Sequence, residues 1–176
     1  MLETERLLLR RPLLADVDDV LAIISDAEVM RFIGGLGSGD RIEAQEAVER
    51  WLSRWDANGF GQFSVLRRED GRWVGRTGLL VWDRVVWRPS TLAEASEPEI
   101  ELGWTFAREH WGRGYATEAA SEVRRWAREE LGIERLVSLI DPENLRSIRV
   151  AEKLGAHPTE SVDLDGDHPA VVWLHP

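Results

Sequence analysis

The chain predicts a mixed α/β (or α+β) domain, and three observations predict it. Short apolar or alternating runs are interleaved with longer stretches whose apolar residues recur at helical spacing. Their order reads β-α-α-β-β-β-α-β-α-β-β, with no internal repeat and no dividing linker. At 176 residues and 43% hydrophobic content, the chain suits one domain, 1–176, with a substantial core.

Leu7–Arg11 reads as a first strand stopped by Pro12. Asp16 is placed to cap a helix carrying Val17, Val20, Leu21 and Ile24 on one face. Gly34–Gly39 reads as a mobile connector, with a substrate lid as the functional alternative. It lacks both the dinucleotide glycine pattern and the lysine of a P-loop. A second helix over 42–55 has Ala44, Ala47, Val48, Trp51, Leu52 and Trp55 as its stripe, and Asn58-Gly59 ends it. Residues 61–68 and 72–82 form a hairpin around Glu69-Asp70-Gly71. Residues 83–98 read as a long loop and 99–106 as a strand. A helix runs to Leu131 and stops at Gly132, and 134–140 is strand-like. Asn144 caps a last helix that ends at Gly155, and strands near 160–164 and 170–174 finish the chain.

A formal net charge of −10 argues against nucleic acid as a partner, because that binding draws on Lys and Arg neutralising phosphates. It favours cationic substrates at any acid-lined cleft. The chain has no cysteine, which removes disulfides, thiolate metal sites and a cysteine acyl intermediate. The four histidines show no metal-ligand spacing, so no metal is expected. The first six residues lack a signal-peptide pattern and no apolar run approaches a membrane span, so a cytoplasmic protein without a membrane partner is expected. The nine tryptophans read first as core, with Trp82, Trp87 and Trp104 as candidates for an acceptor pocket.

The most informative stretch is Glu109-His110-Trp111-Gly112-Arg113-Gly114-Tyr115-Ala116-Thr117-Glu118-Ala119-Ala120. It sits between a strand and a helix. Two glycines one residue apart let the backbone turn tightly, so successive N–H groups converge. The free amides and dipole of the following helix make the turn a phosphate or pyrophosphate site.

Three stretches together resemble the GNAT superfamily of acetyl-CoA-dependent N-acetyltransferases, and within it the RimJ/RimL-like branch. They are Leu2–Arg10 with Pro12 and Val29-Met30-Arg31-Phe32; Glu101-Leu102-Gly103-Trp104 followed by Trp111–Ala119; and Asn144–Arg149 through Glu152-Lys153-Leu154-Gly155. The resemblance implies a mixed, mostly antiparallel central sheet flanked by helices, with acetyl-CoA as cosubstrate. It implies that the backbone around Trp104, Thr105 and Phe106 pairs with the pantetheine arm. Amides from Gly112, Arg113, Gly114, Tyr115, Ala116 and Thr117 receive the pyrophosphate. Asn144 either bonds pantetheine or fixes the parting of the strands, beside its role as a helix cap. Ser147 is implied to face the thioester sulfur, although an isolated serine there reads as a surface or capping residue. Dimerisation through the last strands is an expectation from the family alone.

Two positions depart from the pattern. Glu109 stands where Gln or Arg is frequent, and a carboxylate repels phosphate, so it is expected to turn away. Ala151 stands where a tyrosine often serves as general acid, and Tyr115 lies in the wrong stretch to replace it. The expected chemistry is direct transfer of acetyl to a primary amine, either a protein N-terminus or a small cationic amine. An alkyl ammonium with a pKa near ~10.4 must first lose a proton. Glu101 is the candidate base, with Glu99, on the same strand face, second and ordered water a further route. A free backbone N–H where the strands part would stabilise the oxyanion. Two other readings stand beside this one: a catalytically inactive sensor or scaffold that binds coenzyme A, and a different phosphate-ligand binder. Acids at Glu94, Glu97, Glu99 and Glu101, and at Asp163, Asp165 and Asp167, favour a cationic acceptor.

Overall fold

The computed structural model describes residues 1–33, 39–164, 166 and 168–176. The connector expected at Gly34–Gly39, apart from Gly39 itself, and the acids Asp165 and Asp167 lie outside the described residues. The strands are β1 (Leu2–Glu3), β2 (Leu7–Arg10), β3 (Gln62–Arg67), β4 (Trp73–Asp83), β5 (Arg88–Ser90), β6 (Pro98–Phe106), β7 (Val137–Ile140), β8 (His157–Leu164) and β9 (His168–Leu174). The helices are α1 (Val17–Ile24), α2 (Ala27–Met30), α3 (Arg41–Asn58), α4 (Tyr115–Glu129) and α5 (Leu145–Lys153).

The sheet order is β1-β2-β3-β4-β6-β7-β9-β8, with β5 added to β4. Every pairing is antiparallel except β6 with β7, which are parallel and meet at one pair, Glu101 with Val137. Alternation along each strand divides the sheet into two unlike faces. One face carries Leu7, Leu9, Phe63, Val65, Val74, Leu79, Val81, Leu102 and Phe106, and buries them against Ala119, Ala120, Val123, Trp126 and Ala127 of α4. Trp55, Phe63 and Trp126 meet ring to ring, with Phe63 edge-on to Trp126 at 5.3 Å between centroids.

The opposite face, under α1 and α3, carries a buried polar network. Asp16 accepts from both terminal guanidinium nitrogens of Arg10 (2.9 and 2.6 Å), from Ser64 Oγ (2.6 Å) and from Leu13 N–H (2.9 Å). The expected helix cap is therefore corrected. The Asp16 side chain makes no capping bond to α1 and instead ties β2 and β3 to the turn before that helix. Burial raises the Asp16 carboxyl, and the bonds from Arg10, Ser64 and Leu13 overcome it, so the net direction is down.

The stretch 83–98 is more ordered than the sequence suggests. Asp83 accepts from Val85 N–H (3.0 Å) and Ser96 N–H (2.8 Å), which closes the excursion and lets β5 pair back onto β4. The expected strand over 134–140 begins only at Val137, and both final strands are longer than expected.

Where β6 and β7 part, a side chain stands in for the ladder. Ser138 Oγ donates to Leu102 O (2.6 Å) and is in contact with His175 Nε2 at 2.9 Å. With the hydroxyl proton on Leu102, the imidazole donates from Nε2 and stays neutral. Burial, with Arg124 and Arg128 nearby, pushes the His175 pKa down to about 4. Stability linked to His175 is therefore complete above the ordinary pKa and is lost as pH falls from about 6.5 toward 4, where the unfolded chain binds the extra proton. Acid titration should cost up to about 3 kcal/mol from this group. His175→Gln should flatten the dependence of the unfolding midpoint on pH between 7 and 4, measured by urea unfolding. An unchanged slope would contradict the assignment.

Candidate active site

The glycine turn adopts the geometry its sequence demands. Gly112 and Gly114 have φ of 73° and 82°, values that side chains rarely adopt. A Cβ at Gly112 would meet nothing within 4 Å, so the turn faces open space. Gly114 is the N-cap of α4 and no side chain caps the first turn, so its amides stand ready for an anion. The residues present fit a pyrophosphate. Glu109 points to Arg72 (3.6 Å) and His110 Nε2 (3.4 Å).

The first strands brace this turn from behind. Glu118, one turn into α4, accepts from Thr4 Oγ1 (2.5 Å), Arg6 N–H (2.9 Å) and Arg6 Nε (2.7 Å). Arg6 also donates to Arg113 O (2.9 Å), and its guanidinium lies 4.9 Å over the Tyr115 ring. These contacts hold the Glu118 carboxyl below the usual range despite its burial. The sequence drew attention to Thr4-Glu5-Arg6 and to Glu118 separately. Their contact spans more than a hundred residues and has no local signature.

A cleft of about 440 Å³ opens where β6 and β7 diverge. Its lining includes Trp82, Glu101, Trp104, Thr105, Asn144 and Ser147. Asn144 Oδ1 accepts from Ser147 N–H (3.1 Å), so the cap forms and brings both residues to the cleft wall. Phe106 turns its ring into the core beneath α4, and its carbonyl accepts from Trp111 Nε1 (2.7 Å). Trp87 does not line this cleft.

The two candidate carboxylates part company. Glu99 is buried and held by Arg135 through Nε (3.0 and 3.1 Å) and a terminal nitrogen (2.9 Å). Glu101 lies in the cleft, where Oε2 accepts from Trp82 Nε1 (2.6 Å). Burial pushes its carboxyl up; Trp82, Arg76, Arg54 and the Leu139 N–H pull the other way without reversing the direction. A Cβ at Gly103 would sit 3.4 Å from Glu101 Oε1, so glycine there keeps the carboxylate open. Of the other acids expected to attract a cation, Glu97 is paired with Arg84 (2.6 Å) and Glu94 accepts from Thr91 (2.9 Å). Among the described acids of that set, only Glu101 lines the cleft.

Residues 6–157 match the acetyltransferase (GNAT) domain family. The chain belongs to that family. It is 34% identical over 143 residues to YkkB, an uncharacterized protein of Bacillus subtilis (strain 168), covering 80% of this chain and 74% of that one. The acetyltransferase from Agrobacterium tumefaciens str. C58 superposes with a TM-score of 0.79 at 29% identity, over 99% of this chain and 93% of that one. The microcin C7 self-immunity acetyltransferase MccE, solved with acetyl-CoA and AMP, shares the fold at a TM-score of 0.73 and 13% identity, over 97% and 92% of the two chains. This GNAT protein is thus an acetyltransferase with the mixed, mostly antiparallel sheet of its family. Among the described residues no helix is long and apolar enough to cross a membrane.

Glu118→Gln should raise the dissociation constant for coenzyme A several-fold by loosening the brace behind the turn, measured by calorimetric titration. Affinity equal to that of the parent would contradict the bracing role.

Proposed function

We propose that this GNAT protein transfers acetyl from acetyl-CoA directly to a primary amine, with Glu101 as general base. The reading rests on one observation. Glu101 is a carboxylate with a raised pKa, fixed by an indole N–H and open on its Gly103 side, in the cleft where the two central strands diverge.

In this reading acetyl-CoA lays its pyrophosphate on the amides of Gly112 to Thr117, with Arg113 beside them. Its pantetheine arm runs along Trp104, Thr105 and Phe106, where β6 has left β7. Asn144 spends its oxygen on the cap, and its NH₂ remains as a donor to the pantetheine amides. Glu101, directly or through water, takes the ammonium proton, and the amine nitrogen attacks the thioester carbonyl. The C–N bond forms, the C–S bond breaks, and a backbone N–H at the parting of the strands receives the oxyanion. Ser147, on the cleft wall, relays the second amine proton to the leaving thiolate in place of the tyrosine absent at Ala151. Glu99 serves as a positioning residue, its charge used by Arg135.

The motif match at Leu2–Arg10, Glu101–Trp104 and Asn144–Gly155 supports placement in the RimJ/RimL-like branch, acting as one domain in the cytoplasm. A protein N-terminus is then one acceptor class and a small amine the other.

Release of coenzyme A thiol from acetyl-CoA in the presence of an amine panel tests the proposal. Glu101→Gln should lower kcat by about 10²-fold or more. Because a base must be ionised, the parent rate should fall as pH drops through a pKa above the ordinary glutamate value, and the variant should lose that limb. Gly103→Ala meets Glu101 only at ordinary contact distance, so it should fold normally and still slow transfer about tenfold by covering the carboxylate. Unchanged turnover and pH profile in Glu101→Gln would refute the base. Tight coenzyme A binding without transfer to any amine would favour an inactive sensor.

A further inference from the structure

The cleft continues on the α1 and α3 side into a second cavity of about 710 Å³, and Met30, Ile33, Arg76 and Thr105 line both. Val20, Ile23, Ile24, Trp51 and Trp73 give this cavity an apolar wall. Its charged groups are unequal in their commitments. Glu43 accepts from Gly39 N–H (2.7 Å), and Glu46 lies 3.7 Å from Arg50. Arg76 donates to the neutral Gln62 Oε1 (3.0 Å) and stacks 5.4 Å over Trp51. Among the described residues neither Arg54 nor Arg76 forms a salt bridge with a carboxylate. Asp40, the remaining acid of this cavity, accepts from Ile42 N–H (2.9 Å) and Glu43 N–H (3.0 Å). Arg54 thus lines the second cavity, Glu101 lines the cleft, and Arg76 lines both.

We propose that Arg54 and Arg76 form a counter-ion site for the acceptor, which is an amine carrying an oxyanion, either a carboxylate or a phosphate. The inference rests on the acetyltransferase reading and names its substrate class. The amine reaches Glu101 while the oxyanion rests between the two arginines, and the apolar wall takes the carbon chain between them. Guanidinium is suited to this because its planar donor fork matches carboxylate and phosphate geometry. The site is not a place for the pyrophosphate of coenzyme A. In register, Arg76 stands opposite Thr105 on the α3 face of the sheet, whereas α4 and its anion-binding turn pack on the other face. Burial lowers the pKa of both arginines, that of Arg76 to about 10; Arg50 adds to the effect on Arg54 and Arg54 to that on Arg76, a like-charge repulsion that an incoming oxyanion relieves. To the cationic acceptor expected from the net charge and the acids this site adds an oxyanion, which makes the acceptor a zwitterion.

The test is thiol release from acetyl-CoA with acceptors paired by the presence or absence of an oxyanion: β-alanine against β-alaninamide, phosphoethanolamine against ethanolamine, and putrescine as the dication. The oxyanionic member of at least one pair should have a kcat/KM tenfold or more above its neutral partner, and the pair that shows it distinguishes carboxylate from phosphate. Arg54→Gln should collapse that ratio toward one, mainly through KM, and Arg54→Lys should restore part of it. Arg54→Glu should shift preference toward putrescine. A parent preference for the amide, ethanolamine or putrescine, or a ratio unmoved by Arg54→Gln, would overturn the proposal. Binding separates this failure from failure of the acetyltransferase reading. Indole N–H resonances of Trp51 and Trp82 should shift with β-alanine or phosphoethanolamine in the parent, and less in Arg54→Gln, even if no amine is acetylated. Shifts absent in both proteins would overturn the counter-ion site independently of turnover.

Discussion

Everything at the site depends on β6 and β7 beginning as parallel neighbours and then separating. One parallel pair, Glu101 with Val137, starts the ladder. The Ser138 hydroxyl then bonds Leu102 O, and beyond that point the β7-facing edge of β6 has no strand pairing among the described residues. An unpaired strand edge inside a fold leaves donors and acceptors that need partners. The cleft formed there is bounded by Trp104 and Thr105 on one strand and by Leu139 and Ile140 on the other. The same divergence brings Glu101 to the base of the opening, and α5 follows directly with Asn144 and Ser147 at its start.

The two faces of the sheet divide the work. Under α4 the packing is apolar, and it seats the helix that follows the glycine turn against the sheet. Under α1 and α3 the Arg10–Asp16–Ser64 network and the Gln62–Arg76 pair place charge inside the protein. Buried charge is tolerated only where it is paired or hydrogen-bonded, and the Arg10–Asp16 pair meets that condition. Arg54 and Arg76 meet it only in part, and they are the ones that face a cavity. Net charge is a poor guide here: in a chain at −10 the second cavity is lined by three arginines, Arg50, Arg54 and Arg76, against three acids, Asp40, Glu43 and Glu46, of which Asp40 caps α3.

Local grammar made much of this fold readable. The glycines at 112 and 114, the Asn144 cap and the stripe of α3 each follow from short-range rules and lie where expected, whereas the short elements β1, α2 and β5 had no counterpart in the expected order. Long-range commitments were not readable. Glu99 and Glu101 share a strand face and look equivalent in sequence. Arg135, from a segment expected to be strand and found outside it, takes Glu99, while the Trp82 indole holds Glu101 in the cleft. Asp16 had the right spacing for a cap but found stronger partners in Arg10 and Ser64. Arg54 sits beside the apolar stripe of its helix and reads as an ordinary surface cation. Its significance comes from Arg76, which alternation along a different strand turns toward the same cavity.

The central claim is that the separated edge of β6 receives the pantetheine arm while the glycine turn receives the pyrophosphate. Amide hydrogen exchange with and without acetyl-CoA tests both halves at once. The account predicts slower exchange on binding in two separate segments, 103–106 and 112–117. Protection confined to the turn, with 103–106 exchanging as in the free protein, would contradict it.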